Sequence, residues 1–153
     1  FFYYERKKHV EIYNVRGKAQ QKVMLEILKN KECPFCPKNF LKYHKERVIT
    51  ETKRWILTRN QWPYQHTLHH FLAVYKKHAE TLQEIEHGAF KELLMLFQTV
   101  EKEFSLPGGA LCLRFGGTDY SAGTVAHLHA QLIVPDINHP DYKRIRFAIG
   151  KKE

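Results

Sequence analysis

His127, His129 and Gln131 alternate with Leu128, Ala130 and Leu132 in the run Ala126-His127-Leu128-His129-Ala130-Gln131-Leu132-Ile133-Val134-Pro135. Residues two apart on a strand share a face, so the three polar side chains point one way while the apolar ones enter the core. Just upstream, Gly116-Gly117-Thr118-Asp119-Tyr120-Ser121-Ala122-Gly123-Thr124-Val125 forms a glycine-bearing loop. Glycine lets backbone N–H groups approach an anion with no side chain in the way. Imidazole beside such a phosphate cradle points to phosphoryl or nucleotidyl chemistry.

Other residues fit the same chemistry. Thr124 and the backbone of Ala122 and Gly123 are placed to meet non-bridging phosphate oxygens and stabilise charge that develops at phosphorus. Gln131 can donate from its amide to a phosphate oxygen but does not titrate as an imidazolium does. Arg114, in Leu113-Arg114-Phe115-Gly116, reads equally as a bidentate phosphate contact or as a surface strand arginine.

Cys33-Pro34-Phe35-Cys36 is a separate signal. The spacing lets two thiolates grip one tetrahedral zinc ion at about 2.3 Å each, and two further ligands are then required. A redox pair is an alternative, but it prefers a strand-to-helix junction in a βαβ unit, and Pro37 follows at once with no such pattern nearby. Two free thiols in a reducing compartment are another. Cys112, between Leu111 and Leu113, reads as a buried core thiol.

The elements that must hold these residues can be read from periodicity. Val23, Met24, Ile27 and Leu28 predict a short helix over 18–29, ended by Pro34 and Pro37. Leu82, Ile85, Phe90, Leu93, Phe97, Val100 and Phe104 predict the main helix, with Thr81 and Glu84 as a capping box, Pro107-Gly108-Gly109 as its stop, and Gly88 as a break or a close contact. The segments 47–52, 54–58, 70–75, 110–115 and 125–134 predict about five strands. The fold class expected is α+β, an antiparallel sheet packed with two main helices. Residues 1–153 are expected to form a single domain, with 1–15 either a strand or an arm that contacts a partner subunit.

Composition bounds the rest. A chain of 153 residues, 43% hydrophobic, can build one domain with a real core. No apolar run approaches bilayer length, and charges fill the opening segment where a signal peptide is apolar, so a cytoplasmic protein is expected. The net charge of +9 is uneven, with 14 Lys or Arg against 6 Asp or Glu in residues 1–54. That surplus can steer anionic ligands, nucleotides and nucleic acid included, or be a solvated face without a specific partner.

The ordered set of motifs resembles the histidine-triad superfamily, whose mark is His-x-His-x-His or His-x-His-x-Gln on a strand after a glycine-rich turn. Asn60-Gln61-Trp62-Pro63-Tyr64 and His70-Phe71-Leu72-Ala73-Val74-Tyr75-Lys76-Lys77-His78 are similar to the family's second block. Gln131 in third place resembles the branch of galactose-1-phosphate uridylyltransferase and diadenosine tetraphosphate phosphorylase. The resemblance implies a HIT-like fold and a homodimer. It implies His129 as the nucleophile that forms a covalent nucleotidyl-histidine with Gln131 beside it, Asn60 as a ribose contact and His70 as a supporting residue. It also implies His78 and His127 as the ligands that complete a structural zinc site with Cys33 and Cys36. His66 and His69 receive no role. The expected activity is that of a nucleotidyltransferase, phosphorylase or hydrolase on a nucleoside phosphoanhydride or phosphoramidate. The alternative is a zinc-containing nucleotide- or nucleic-acid-binding module without turnover.

Overall fold

The computed structural model describes residues 8–153. In chain order the elements are α1 (Lys18–Asn30), α2 (Pro37–Tyr43), β1 (Val48–Glu51), β2 (Trp55–Arg59), β3 (Thr67–Tyr75), α3 (His87–Glu103), β4 (Ala110–Arg114), α4 (Thr118–Ser121) and β5 (His129–Pro135). The five strands form one antiparallel sheet in the order β1-β2-β3-β5-β4. This is the expected α+β class, with two short helices, α2 and α4, beyond the two main ones.

Alternation along the central strands divides the core in two. Trp55 and Leu57 of β2, Phe71, Ala73 and Tyr75 of β3, and Ala130, Leu132 and Val134 of β5 pack on Ala89, Leu93, Leu96, Phe97 and Val100 of α3. Trp55 is wholly buried, and its indole N–H is satisfied by the Ala89 carbonyl at 2.8 Å. Truncating it to alanine would cost about 3–5 kcal/mol. On the opposite face, Ile56, Leu72 and Val74 meet Phe40 of α2. His129 and Gln131 share this second face, since their register partners are Val74 and Leu72.

α1 buries Gln20, Met24 and Ile27, one stripe at helical spacing, and ends in the left-handed conformation at Lys31 rather than at the prolines. Pro37 starts α2, where its missing N–H costs nothing. The main helix is shorter than its apolar stripe: Leu82–Glu84 form a separate 3-10 turn and α3 begins at His87. Thr81 makes no side-chain capping bond, and the Glu84 carboxylate accepts from the Glu80 backbone N–H at 2.7 Å. Two members of the stripe, Leu82 and Phe90, are exposed. Cys112 is half-buried on β4 rather than a core thiol.

Residues 1–7 of the expected arm lie outside the described residues. The rest of that stretch docks on its own chain: Val10 is buried and bridges Val125, and the Glu11 backbone N–H donates to the Thr124 carbonyl at 2.7 Å. No helix among the described residues is long and apolar enough to cross a membrane.

Candidate functional site

β5 begins at His129, not at Val125, and that late start separates the two histidines. His127 sits in the bend before the strand, and its Nδ1 faces a cluster with Cys33, Cys36 and His78. Cys33 Sγ lies 3.3 Å and Cys36 Sγ 3.9 Å from His127 Nδ1, Cys36 Sγ lies 3.4 Å from His78 Nδ1, and the two Nδ1 atoms are 3.2 Å apart. Ligands around a tetrahedral zinc with bonds of about 2.0–2.3 Å stand roughly 3.3–3.8 Å from one another, so the separations match.

The donor chemistry agrees. His127 Nε2–H donates to the Tyr75 carbonyl at 2.5 Å, which leaves Nδ1 deprotonated and facing the two sulfurs. That outer contact is the one a metal-bound histidine requires. Burial pushes the Cys33 thiol up to about 12, with Cys36 alongside adding to the shift. A cation bound among the four residues would be what holds the two sulfurs as thiolates in so buried a place. The four residues therefore fit zinc.

His127 also reaches the next residue of the site through its backbone. Its carbonyl accepts from His129 Nδ1–H at 2.7 Å, so the proton sits on Nδ1 and the Nε2 lone pair is free. This is the carbonyl-fixed tautomer a nucleophilic imidazole needs. Burial holds His129 down to about 4, with the nearby Arg114 charge acting in the same direction, so the ring is neutral at pH 7. Phe35 closes one side, its ring 5.1 Å from His129 in a T-shaped contact.

Gln131 follows on the same face. The Tyr64 backbone N–H donates to His70 Nδ1 at 3.1 Å, which puts the His70 proton on Nε2 and aims it at Gln131 Oε1, 2.6 Å away. His70 stands opposite Ile133, hence diagonal to Gln131, within reach across adjacent strands.

One cavity joins most of the residues singled out from sequence: Asn60, Arg114, Ala122, Thr124, His129 and Gln131 all line it. Gly123 sits behind this wall, where an added Cβ would meet Ser121 Oγ at 3.2 Å and Arg114 Cδ at 3.6 Å. Several of these groups carry internal duties. Ala122 N–H donates to the Thr118 carbonyl and Gly123 N–H to Ser121 Oγ. The Thr124 hydroxyl donates to the Asn14 carbonyl at 3.2 Å. Arg114 donates to the Ser121 and Ala148 carbonyls and lies 3.7 Å from the Phe147 ring centre. Asn60 Oδ1 accepts from the Trp62 backbone N–H at 2.7 Å, closing a local turn.

The cavity also takes Arg16 and Gln20 from the entrance of α1, together with Tyr64 and His44. Sequence reading missed these four. Tyr64 lies within the Asn60–Tyr64 block, whereas Arg16 and Gln20 belong to a stretch whose only signal was helical spacing further on. Arg16 places its guanidinium 4.3 Å over the Tyr64 ring.

No protein-family model matches the sequence, and no curated protein matches it. Solved structures do. A HIT family hydrolase from Clostridium thermocellum is 22% identical over 72% of this chain and 96% of its own, with a TM-score of 0.54. A hypothetical histidine triad nucleotide-binding protein from Sulfolobus tokodaii is 20% identical, covering 79% of this chain and 82% of its own, at 0.55. A zinc-bound histidine triad family protein from Mycobacterium smegmatis is 16% identical, covering 80% and 84%, at 0.54. The chain has the histidine-triad fold; at these identities the likeness is one of fold.

Proposed function

We propose that the protein is a nucleotide-processing enzyme in which His129 is the nucleophile. The observation that carries this reading is the pair of fixed orientations at the cavity floor: His129 Nδ1–H held by the His127 carbonyl and Gln131 Oε1 held by His70. Nε2 of His129 attacks the α-phosphorus of a nucleoside phosphoanhydride or phosphoramidate. The N–P bond forms, the bond to the leaving group breaks, and that group departs with the electron pair. The Gln131 amide N–H groups, turned from His70, donate to a non-bridging oxygen as charge builds on it. Phosphate, a sugar phosphate or water then attacks the same phosphorus and releases Nε2.

Around this centre, Thr124, the Ala122–Gly123 backbone and Arg114 form the phosphate wall, and Asn60 takes the ribose. Arg114 and Thr124 exchange their present carbonyl partners for phosphate oxygens as the ligand enters. Cys33, Cys36, His78 and His127 would hold zinc as a closed, four-ligand structural site that contributes folding energy. By fixing His127, this site also fixes the carbonyl that orients His129. Residues 1–153 act as one HIT-like domain in this reading.

The reading includes a homodimer, which an open sheet edge supports. β4 is the last strand, with Leu111 60% exposed on it and Leu94 and Met95 of α3 exposed at 54% and 56%. A second copy pairing there would cover the open edge and these side chains. Sedimentation should give twice the chain mass, and Leu111→Lys should shift it to the monomer.

Intact mass after incubation with a nucleotide panel tests the chemistry. A mass increment of one nucleotide is expected in the wild type and absent in His129→Ala, whose affinity for the nucleotide stays within about tenfold because a nucleophile acts in the transition state. Binding with neither adduct nor turnover across the panel would make the protein a nucleotide-binding module.

A further inference from the structure

Beside the cavity of His129 runs a wider groove of about 710 Å³. Its wall carries five cations, Arg16, Lys18, Lys143, Arg144 and Arg146, and no carboxylate. They come from two unconnected stretches, the entrance of α1 and the segment after β5, so the charge is assembled by the fold. Among the described residues, none of the five is in an ion pair. Like charges gathered without counter-charges raise the energy of the free protein and are relieved by a polyanion.

The groove is continuous with the candidate active site. Arg16, Gln20, Gln61, Trp62 and Tyr64 line both. Trp62 and Tyr64 are half-buried, and Arg16 anchors them by donating to the Trp62 carbonyl and lying over the Tyr64 ring. Cations for a backbone, together with a half-buried aromatic side chain such as Trp62, are the combination that holds unpaired nucleotides. A mononucleotide seated at His129 would leave Lys143, Arg144 and Arg146 without a partner.

We propose that this groove binds a single-stranded polynucleotide, so that the nucleotide presented to His129 is the terminal one of a strand. The proposal rests on the reading of the His129 cavity as a nucleotide site. The strand's phosphodiesters lie along Lys143, Arg144 and Arg146, and a base near the terminus stacks on Trp62, since the Tyr64 ring is already covered by Arg16 and His70. A duplex is disfavoured, since its stacked and paired bases cannot reach the Trp62 ring.

Fluorescence anisotropy tests it with 3′-labelled ten-residue oligo-dT and oligo-U, each carrying a 5′-phosphate, between 50 and 200 mM NaCl. Wild-type protein should bind the strand at least tenfold tighter than the mononucleotide. In the triple variant Lys143→Ala, Arg144→Ala, Arg146→Ala, strand affinity should fall at least tenfold and the log–log salt slope by about two, from about 0.7 per lost contact. The three side chains are exposed and outside the cavity, so mononucleotide affinity and the intact-mass adduct should stay within twofold. Strand binding no tighter than mononucleotide binding, an unchanged salt slope in the variant, or stronger competition by a dinucleoside tetraphosphate than by the strand would overturn the proposal. Loss of the nucleotidyl adduct with strand binding intact would overturn the His129 reading alone.

Discussion

His70 Nε2–H donates to Gln131 Oε1 across 2.6 Å, and this bond decides which end of the Gln131 amide faces the cavity. An unconstrained glutamine can present either its acceptor or its donors. Here the acceptor is consumed at the back, so the NH2 group is left for the ligand. Burial keeps His70 neutral by lowering it to about 4, so this arrangement is maintained at pH 7.

Replacing His70 should therefore damage turnover more than binding. In His70→Ala the Gln131 amide loses its anchor and the donor is no longer pre-aimed, for an expected loss of about 10 to 1000-fold in kcat, the range for removing one oxyanion donor. The change in KM should be under about threefold. Equal losses in binding and turnover would mean that His70 only props the wall.

Metal and nucleophile are linked through one residue. His127 gives Nδ1 to the cysteine cluster and its carbonyl to His129. Metal analysis should find about one zinc per chain, and Cys33→Ser should lose it with a stability drop of about 3 kcal/mol or more, roughly 6 °C or more in Tm. His78→Ala, at a ligand farther from His129, should lose metal and also slow adduct formation. A metal content near zero in protein prepared without chelators, or full activity in zinc-free His78→Ala, would break the link.

The presence of five strands and the two faces of β5 follow from apolar runs and alternation, so these were legible in the residues themselves, whereas the order β1-β2-β3-β5-β4 is set by tertiary pairing that no local pattern encodes. The start of β5 was not legible either, because a two-residue period does not say where pairing begins, and the strand opens at His129 rather than at Val125. The ligand set came through resemblance, since nothing local to His78 distinguishes it. Arg16 and Gln20 were invisible for another reason: α1 has to cross over the second sheet face before they line the cavity, and that is a tertiary event. The capping box at Thr81 is not made: the Glu84 carboxylate accepts from the backbone N–H of Glu80, one residue before the expected N-cap.

Stability should fall as the pH drops from about 6.5 toward 4. His44 and His70 are buried and each lowered to about 4 by desolvation, against about 6.5 in an unfolded chain. In that window the unfolded state binds protons that the native state does not, so lowering the pH favours unfolding; above about 6.5 neither histidine contributes a slope. His44 Nε2 lies 3.0 Å from Thr58 Oγ1, a contact that glutamine can replace. Denaturant titrations across pH 4–7 should show the dependence on pH reduced in His44→Gln by up to one proton, with both proteins converging in slope at pH 7. An identical slope in the two would show that His44 titrates normally in the fold.

The last expectation turns on what Gln131 cannot do. A histidine there could carry a proton to or from water near neutral pH, whereas an amide only donates its fixed N–H bonds. His70 holds that amide in place and, itself neutral, offers no second proton at pH 7. Water attacking the nucleotidyl-histidine thus lacks a base, while an anionic phosphate acceptor arrives already nucleophilic. Supplying millimolar phosphate or a sugar phosphate with a nucleoside anhydride should give acceptor-dependent products in the wild type. In Gln131→His the products should shift toward the free nucleotide. Release of free nucleotide alone by the wild type under these conditions would make hydrolysis the activity and leave Gln131 as an oxyanion donor only.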